Sequence, residues 1–464
     1  MSSDTNEVET DLADRCAYAL QAATKAGASF ADAMVMGGRS TSVKVRLGEV
    51  IEVVQSRDQG LGVRVLVDGP GGLRTVTTST SDLGDAAITR LVEQAVAMAR
   101  RTAPDPFAGP PEAGLEAPVP GAPGDLDTYD DAVVRLDADR AIGLALATER
   151  AALDVDPRLT NSEGAEMGWG FSELHLLTSA GVHRYRRSSS ASLWTTPVAD
   201  DGQGNKQSDY WYTSARHFAD LEDPSVVGQK AAQRTLRRLG ARKPKTAEVP
   251  VIFESPMASR LIGSIAGGAN GASIFRDASW LCGKLGQSIA SPLVTLSDNP
   301  WIVRGAASRL FDGEGLSTQP MTLVDRGVLK TWILDTYTGK KLGLPTTRSA
   351  GRGLGGSPSP TTTNLWMDNG EVSLAALIAD TKFGLFVTDS VGGGANTVTG
   401  DYSQGVVGLW IENGELAYPV EELTIASTLP AMWAAIDGVA NDRDPRKSTS
   451  APSFRVAKMT VAGA

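Results

Sequence analysis

The chain has 464 residues, 41% hydrophobic, 21% charged and 6% aromatic, with a formal charge of −10. That is material for two or three globular cores at about 100–200 residues each, and the acidic balance argues against a surface for nucleic acid or anionic membrane. No stretch reaches the ~20 apolar residues of a bilayer span, the opening Met1-Ser2-Ser3-Asp4 is no basic and apolar leader, and two cysteines, Cys16 and Cys282, are too few for a disulfide framework. The cytoplasm is the expected location.

In chain order, Leu12, Cys16, Ala19, Leu20 and Ala23 recur at helical spacing and predict a helix over 10–26, stopped at Gly27. Short strands are predicted at 33–36, 42–47, 51–54, 60–67 and 74–80, each bounded by glycine or polar breaks. A second helix follows over 85–101, with Ile88, Leu91, Val92, Ala95 and Val96 on one face. Residues 1–102 therefore read as an α+β domain of helix, antiparallel sheet and helix. Between Pro104 and Pro123 fall seven prolines. They remove amide donors and restrict their neighbours, so 103–125 reads as a linker, a tethered surface connection.

A second α+β region spans 126–245. It has an Ala-rich helix over 136–153, strands near 171–178, 182–188 and 190–195, and a helix over 224–239. The basic run from Arg234 to Lys243 reads as a helix end with solvated charge. From 246 to 464 the texture changes to Gly-rich strands and turns, with a buried strand at 249–253 and a helix at 257–266. This is one β-rich C-terminal domain, and the whole chain is classed α+β.

Catalytic motifs are scarce. His175, His183 and His217 have no metal-ligand spacing among themselves. Cys282 reads first as a small buried hydrophobe, with a nucleophile as the sharper alternative. Gly351-Arg-Gly-Leu-Gly-Gly356 matches the dinucleotide pattern in letters, but neither a hydrophobic strand before it nor a helix after it supplies the phosphate-binding amides. Asp312-Gly313-Glu314 beside Arg309 could bind a cation or act as acid and base, against the plainer reading of a turn with solvated acids.

Several segments, in order along the chain, resemble the TldD/TldE family, whose second member is also called PmbA. They are Gly60-Leu-Gly-Val-Arg64, Asp105-Pro-Phe-Ala-Gly109, Gly286-Gln-Ser-Ile-Ala-Ser291, Ser308-Arg-Leu-Phe-Asp-Gly-Glu-Gly315 and Gly327 to Tyr337. The densest group is Thr399-Gly-Asp-Tyr-Ser403 with Gly408 to Glu415 and Tyr418-Pro-Val420. The resemblance implies a cytosolic metallopeptidase of two homologous subunits, in which the TldD type carries His-Glu-x-x-x-His on a helix and a late cysteine as zinc ligands. Aligned on Gly286–Ser291, that motif falls on Ile262-Gly-Ser-Ile-Ala-Gly267, so the histidines become Ile262 and Gly267 and the glutamate becomes Gly263. The late cysteine falls in 445–452, which has none.

Three readings follow. The first is a metal-free TldE-type subunit that pairs with a TldD-type partner carrying zinc and helps hold unfolded or extended peptide, with Arg309, Asp312 and Glu314 as groove candidates. The second is a self-sufficient homodimeric hydrolase using Cys282 or the acidic pair. The third is a regulatory peptide-binding protein of the gyrase-modulator type. The first is preferred, no catalytic or metal residue is assigned to this chain, and homodimerisation without the partner stays open.

Overall fold

A computed structural model describes residues 3–463. Helix α1 (Ser3–Ala26) leads into strands β1 (Phe30–Arg46), β2 (Glu49–Gly69) and β3 (Gly72–Thr80), then α2 (Asp85–Ala99). After the Pro-rich segment come α3 (Asp131–Val134), α4 (Ala138–Leu153), β4 (Leu159–Thr178), β5 (His183–Asp200), β6 (Lys206–Ser208), β7 (Trp211–Ala215) and α5 (Pro224–Leu236). The helices sit where apolar spacing puts them, and their ends are made locally. Gly27 takes a positive φ of 93° to end α1, Asp137 accepts from Arg140 N at 2.7 Å to start α4, and Asp223 caps α5 beside Pro224.

The strands differ from the expected short pieces. The segments 33–36 and 42–47 are one strand, as are 51–54 and 60–67, because β1 pairs with β2 on one side and β4 on the other along nearly its whole length. Paired on both edges, a strand carries Gly37, Gly38 and Ser40 that by themselves signal a break. β1–β4 pairing also makes residues 30–80 and 159–215 a single seven-stranded sheet, ordered β3-β2-β1-β4-β5-β6 with β7 on β5. One face packs α1 and α2 over Ala31, Ala33 and Val63, and α4 over Val43, Met167 and Leu193.

The C-terminal domain comprises β8 (Ala247–Phe253), α6 (Ser255–Gly268), α7 (Gly271–Ile274), β9 (Leu296–Asp298), β10 (Met321–Asp325), β11 (Val328–Leu329), α8 (Thr336–Leu342), β12 (Ala350–Gly351), β13 (Ser359–Pro360) and β14 (Leu365–Met367). It continues through α9 (Leu374–Ala379), β15 (Phe383–Ala395), β16 (Asp401–Glu412), β17 (Glu415–Thr428), α10 (Leu429–Ala434), β18 (Ile436–Val439), β19 (Thr449–Ser450) and β20 (Phe454–Ala462). The sheet β17-β16-β15-β8-β20-β18 also pairs β17 with β20, closing a circuit of five strands. Met257, Leu261, Ile262 and Ile265 of α6 join the main core with Phe253 and Phe454. Among the described residues, no helix is long and apolar enough to cross a membrane.

The second face of the large sheet meets this domain. Leu354, from the glycine-rich 351–356 loop, lies against Gly60 and Gly62, where a Cβ at 62 would sit well inside contact distance of the Leu354 carbonyl. Asp32 on β1 takes Arg64 Nε at 2.8 Å and Nη2 at 2.5 Å, and Arg352 binds its other oxygen. The dinucleotide-like string is thus a clasp between domains. The Pro-rich segment is also tied down. Asp105 pairs with Leu73 and accepts Tyr337 Oη at 2.7 Å, while the carbonyls of Leu115 and Glu116 accept Arg348 Nη1 at 3.0 Å and Ser317 Oγ at 2.9 Å.

Candidate functional site

A two-lobed cleft of about 680 and 370 Å³ lies where α5, β7, the start of α6 and the 442–449 segment meet. Asp223 and Pro224 fix the direction of α5, which presents Lys230 and Arg234 to the cleft. Trp211 on β7 forms the wall between the lobes, with Lys230 5.2 Å and Arg234 5.5 Å from its ring. Glu254, just before α6, binds Arg234 Nη1 at 3.0 Å and Arg237 at 3.1 and 3.2 Å. Glu222 holds Lys230 at 2.6 Å and Arg446 at 2.9 Å. Burial works against the charge of Arg234, and Glu254 and Asp209 more than offset it. Lys447 stands over Tyr212 at 5.3 Å, and burial pushes its ammonium down. The basic run therefore ends inside an ion-pair network, which corrects the solvated reading of Arg234 and Arg237.

Helix α6 turns one face to this cleft. Ser259, Arg260 and Gly263 line the smaller lobe together with Thr449. Ile262 is fully buried in the core. A Cβ built on Gly263 meets no atom within 4 Å, and one on Gly267 meets only Thr397 at 3.6 Å. The 445–452 segment abuts the same helix. Ser259 Oγ accepts from Ala451 N at 2.9 Å, and Ser255 Oγ donates to Ala451 O at 2.8 Å. Gly263, aligned with the metal motif, and Thr449, in the segment aligned with its late ligand, therefore line the same lobe. A metal ion implied by the family does not fit them: isoleucine and glycine at 262, 263 and 267, and a 445–452 segment without cysteine, histidine, aspartate or glutamate, offer no imidazole, thiolate or carboxylate. Among the described residues, no group of three His, Cys, Asp or Glu side chains is placed to hold one.

The other nominated residues lie elsewhere. Asp312 and Glu314, 2% and 5% exposed, are buried at the domain seam and reach no groove. Asp312 does form a turn, accepting Glu314 N at 2.9 Å and Leu316 N at 3.0 Å, but the N-terminal sheet covers it. Glu314 accepts Thr336 N at 2.9 Å and Oγ1 at 2.7 Å. Burial raises both carboxyls, and the charge of Asp312 raises Glu314 further. Arg309 lines a different pocket, near 124–129 and 185–188. His175 and His183 face each other with ring nitrogens 3.4 Å apart, and His217 Nε2 lies 2.9 Å from Asp127 O. Burial pushes the Cys16 thiol up to about 12, and burial with a hydrogen bond to Asp277 raises Cys282. Neither is an activated nucleophile. Sequence reading missed Trp211, Glu254 and Lys447, and Lys447 reaches its Tyr212 neighbour only through the tertiary fold.

The chain is thus an α+β protein with a closed C-terminal strand circuit and a cleft beside α6. Residues 31–99, 133–239 and 246–463 match domain 1, the central domain and the C-terminal domain of the PmbA/TldA metallopeptidases. The chain belongs to the TldD/PmbA family. It is 37% identical to the Metalloprotease PmbA homolog of Haemophilus influenzae, over 98% of this chain and 97% of that one. With the Metalloprotease PmbA of Escherichia coli O157:H7 it shares 37% over 91% and 90% of the two chains. Among solved structures, a Bacteroides thetaiotaomicron protein described as a candidate modulator of DNA gyrase superposes with a TM-score of 0.88 at 29% identity, covering 100% of both chains. TldE from Thermococcus kodakarensis superposes at 0.84 over 96% of this chain and 99% of its own, and at 20% identity that likeness shows the fold alone.

Proposed function

We propose that this chain is the TldE/PmbA-type, non-catalytic subunit of a two-subunit zinc metallopeptidase that processes unfolded or extended peptides, with the zinc held by a TldD-type partner. The observation that carries this reading is the cleft-facing stripe of α6. Gly263, at the glutamate position of the motif, lines the smaller lobe, and Ile262 and Gly267 stand at its histidine positions, so α6 supplies neither metal donors nor a base there. Family likeness points the same way. The match to the Haemophilus influenzae PmbA homolog covers 98% of this chain, whereas the match to that organism's Metalloprotease TldD homolog covers 47% at 26% identity. The raised thiol of Cys282 and the buried positions of Asp312 and Glu314 weigh against a hydrolase that works alone.

The test is to purify the chain alone and with a TldD-type subunit from the same organism, then measure bound zinc and peptide cleavage. The expected result is a metal-free, inactive chain that forms an active, zinc-containing heterodimer. Stoichiometric zinc and chelator-sensitive cleavage by the chain alone would overturn the proposal.

A further inference from the structure

A separate pocket of about 350 Å³ sits where β5, the end of the Pro-rich segment and the 308–311 loop converge. Its walls carry Arg186, Arg187, Arg216 and Arg309, with Asp125 and Asp127 as the lining acids. Both acids are engaged. Asp125 Oδ1 accepts Leu126 N at 2.6 Å and Asp127 N at 3.0 Å, and Asp127 binds Arg304 at 2.6 Å and His217 at 3.2 Å. Arg187 stacks 4.0 Å from the Tyr129 ring.

Two of the other guanidiniums are incompletely satisfied, although Arg216 donates its two Nη groups to the carbonyls of Ser189 and Ala306. Nε and Nη2 of Arg309 and Nε of Arg216 are buried without a hydrogen-bond partner. Asp298 and Asp312 act on Arg309 only from a distance, and their oxygens accept Thr363 and the 314, 316 and 350 amides instead. Arg186 lies on the solvent-reached side of the same pocket, and the charges that act on it are Arg309 and Arg216, both cations. Buried cations are ordinarily paired, because an unpaired one keeps its full desolvation cost.

We propose that this pocket binds an oxyanion, the carboxylate of a peptide or a phosphate. Arg186 and Arg309 supply charge-assisted donors, and the converging N–H groups match the planar or tetrahedral oxygens of such a group. The pocket opens onto a polar strip of the sheet through Ser188 and Arg216, which also line the neighbouring hollow over Ser40, Gly170 and Ser190. A ligand larger than its anionic end therefore has room to continue along the sheet.

The experiment uses the full chain and titration calorimetry at fixed ionic strength. The probes are an N-acetyl dipeptide with a free C-terminal carboxylate, the same dipeptide as its amide, and inorganic phosphate. The free acid should bind at least about tenfold tighter than the amide, and Arg186→Gln and Arg309→Gln should each cost about tenfold or more. Arg186 is reached by solvent, so its variant should fold and carry the test if Arg309→Gln does not. Phosphate binding without dipeptide binding, lost in Arg186→Gln, supports the oxyanion site and assigns it to a phosphate source. No binding of either anion at millimolar concentration, or equal binding by Arg186→Gln, overturns the proposal. Neither zinc nor a partner enters this measurement, so its failure is separable from that of the subunit reading.

Discussion

Replacing Asp32 with asparagine should loosen the clasp between the N-terminal sheet and the C-terminal domain by about 3–5 kcal/mol. Asp32 is 2% exposed and is shared by two guanidiniums, Arg64 at 2.5 and 2.8 Å on one oxygen and Arg352 on the other. Burial alone would raise its carboxyl, and the two arginines more than offset that and hold it below the ordinary range. Asparagine keeps the shape but leaves two buried cations short of their counter-charge, since burial raises the carboxyls of Glu314 and Asp335, the other acids that act on Arg64. Hydrogen bonds to charged groups are worth about 1.5–3 kcal/mol each, so two weakened partners bracket the figure once relaxation trims the upper end. Urea unfolding measures the loss. Hydrogen exchange across 351–357 locates it, since Arg352 anchors that loop. The exposed pair Arg135–Asp131, at 3.2 Å, is the control and should give no measurable change on Arg135→Ala. An Asp32→Asn loss below about 1 kcal/mol, or unchanged exchange at 351–357, would refute the claim that this carboxylate clamps the loop.

Two further changes probe the same seam. Gly62→Ala places a methyl group against the Leu354 carbonyl, which must move, so a loss of about 1–3 kcal/mol in unfolding free energy is expected, with faster proteolysis of the 351–357 loop. Glu314 is a carboxyl whose folded-state pKa lies above its ordinary 4.5, so the native chain loses stability as pH rises above that value and the buried group is driven to ionise. Glu314→Gln removes this cost. Thermal melts should show the variant gaining on the parent between about pH 5 and about 8, where the Glu314 carboxyl ionises, and levelling off above it, and a constant difference across that range would remove the titration argument.

Much of the fold is legible because its signals are local. Apolar residues at helical spacing, with Asp137, Asp223 and Gly27 at the ends, need no distant partner to mark a helix. Strand length is different. Gly37, Gly38 and Ser40 look like a break until β2 and β4 pair with both edges of β1. The acidic turn shows the same division for the site. Asp312 makes the turn its neighbours announce, but burial of the turn is imposed by the distant sheet carrying Asp32 and Arg64. Arg186 left a usable trace. In a strand, Arg184, Arg186 and Ser188 share one face, and two arginines on one face of a half-covered sheet ask for anions. The glycine string 351–356 shows how an alphabetic motif misleads, since its glycines serve close domain packing.

The cleft and the arginine pocket both concentrate positive charge, yet their electrostatics differ in a way that assigns them different roles. In the cleft, Glu254 and Glu222 stand between the cations, and Arg234, Arg237, Lys230 and Arg446 each have a carboxylate within 3.1 Å. An incoming anion would have to displace those acids and gains little. What the cleft presents instead is a wall of Trp211, Tyr210 and Tyr212 beside Ser259, Arg260 and Gly263 of α6, the surface that the proposed function would give to an extended peptide. In the arginine pocket the order is reversed: the acids are occupied by backbone amides, Arg304 and His217, and buried N–H groups on Arg216 and Arg309 have nothing to donate to. Charge there is stored rather than spent within the fold, and a ligand bringing oxygens would recover the desolvation already incurred.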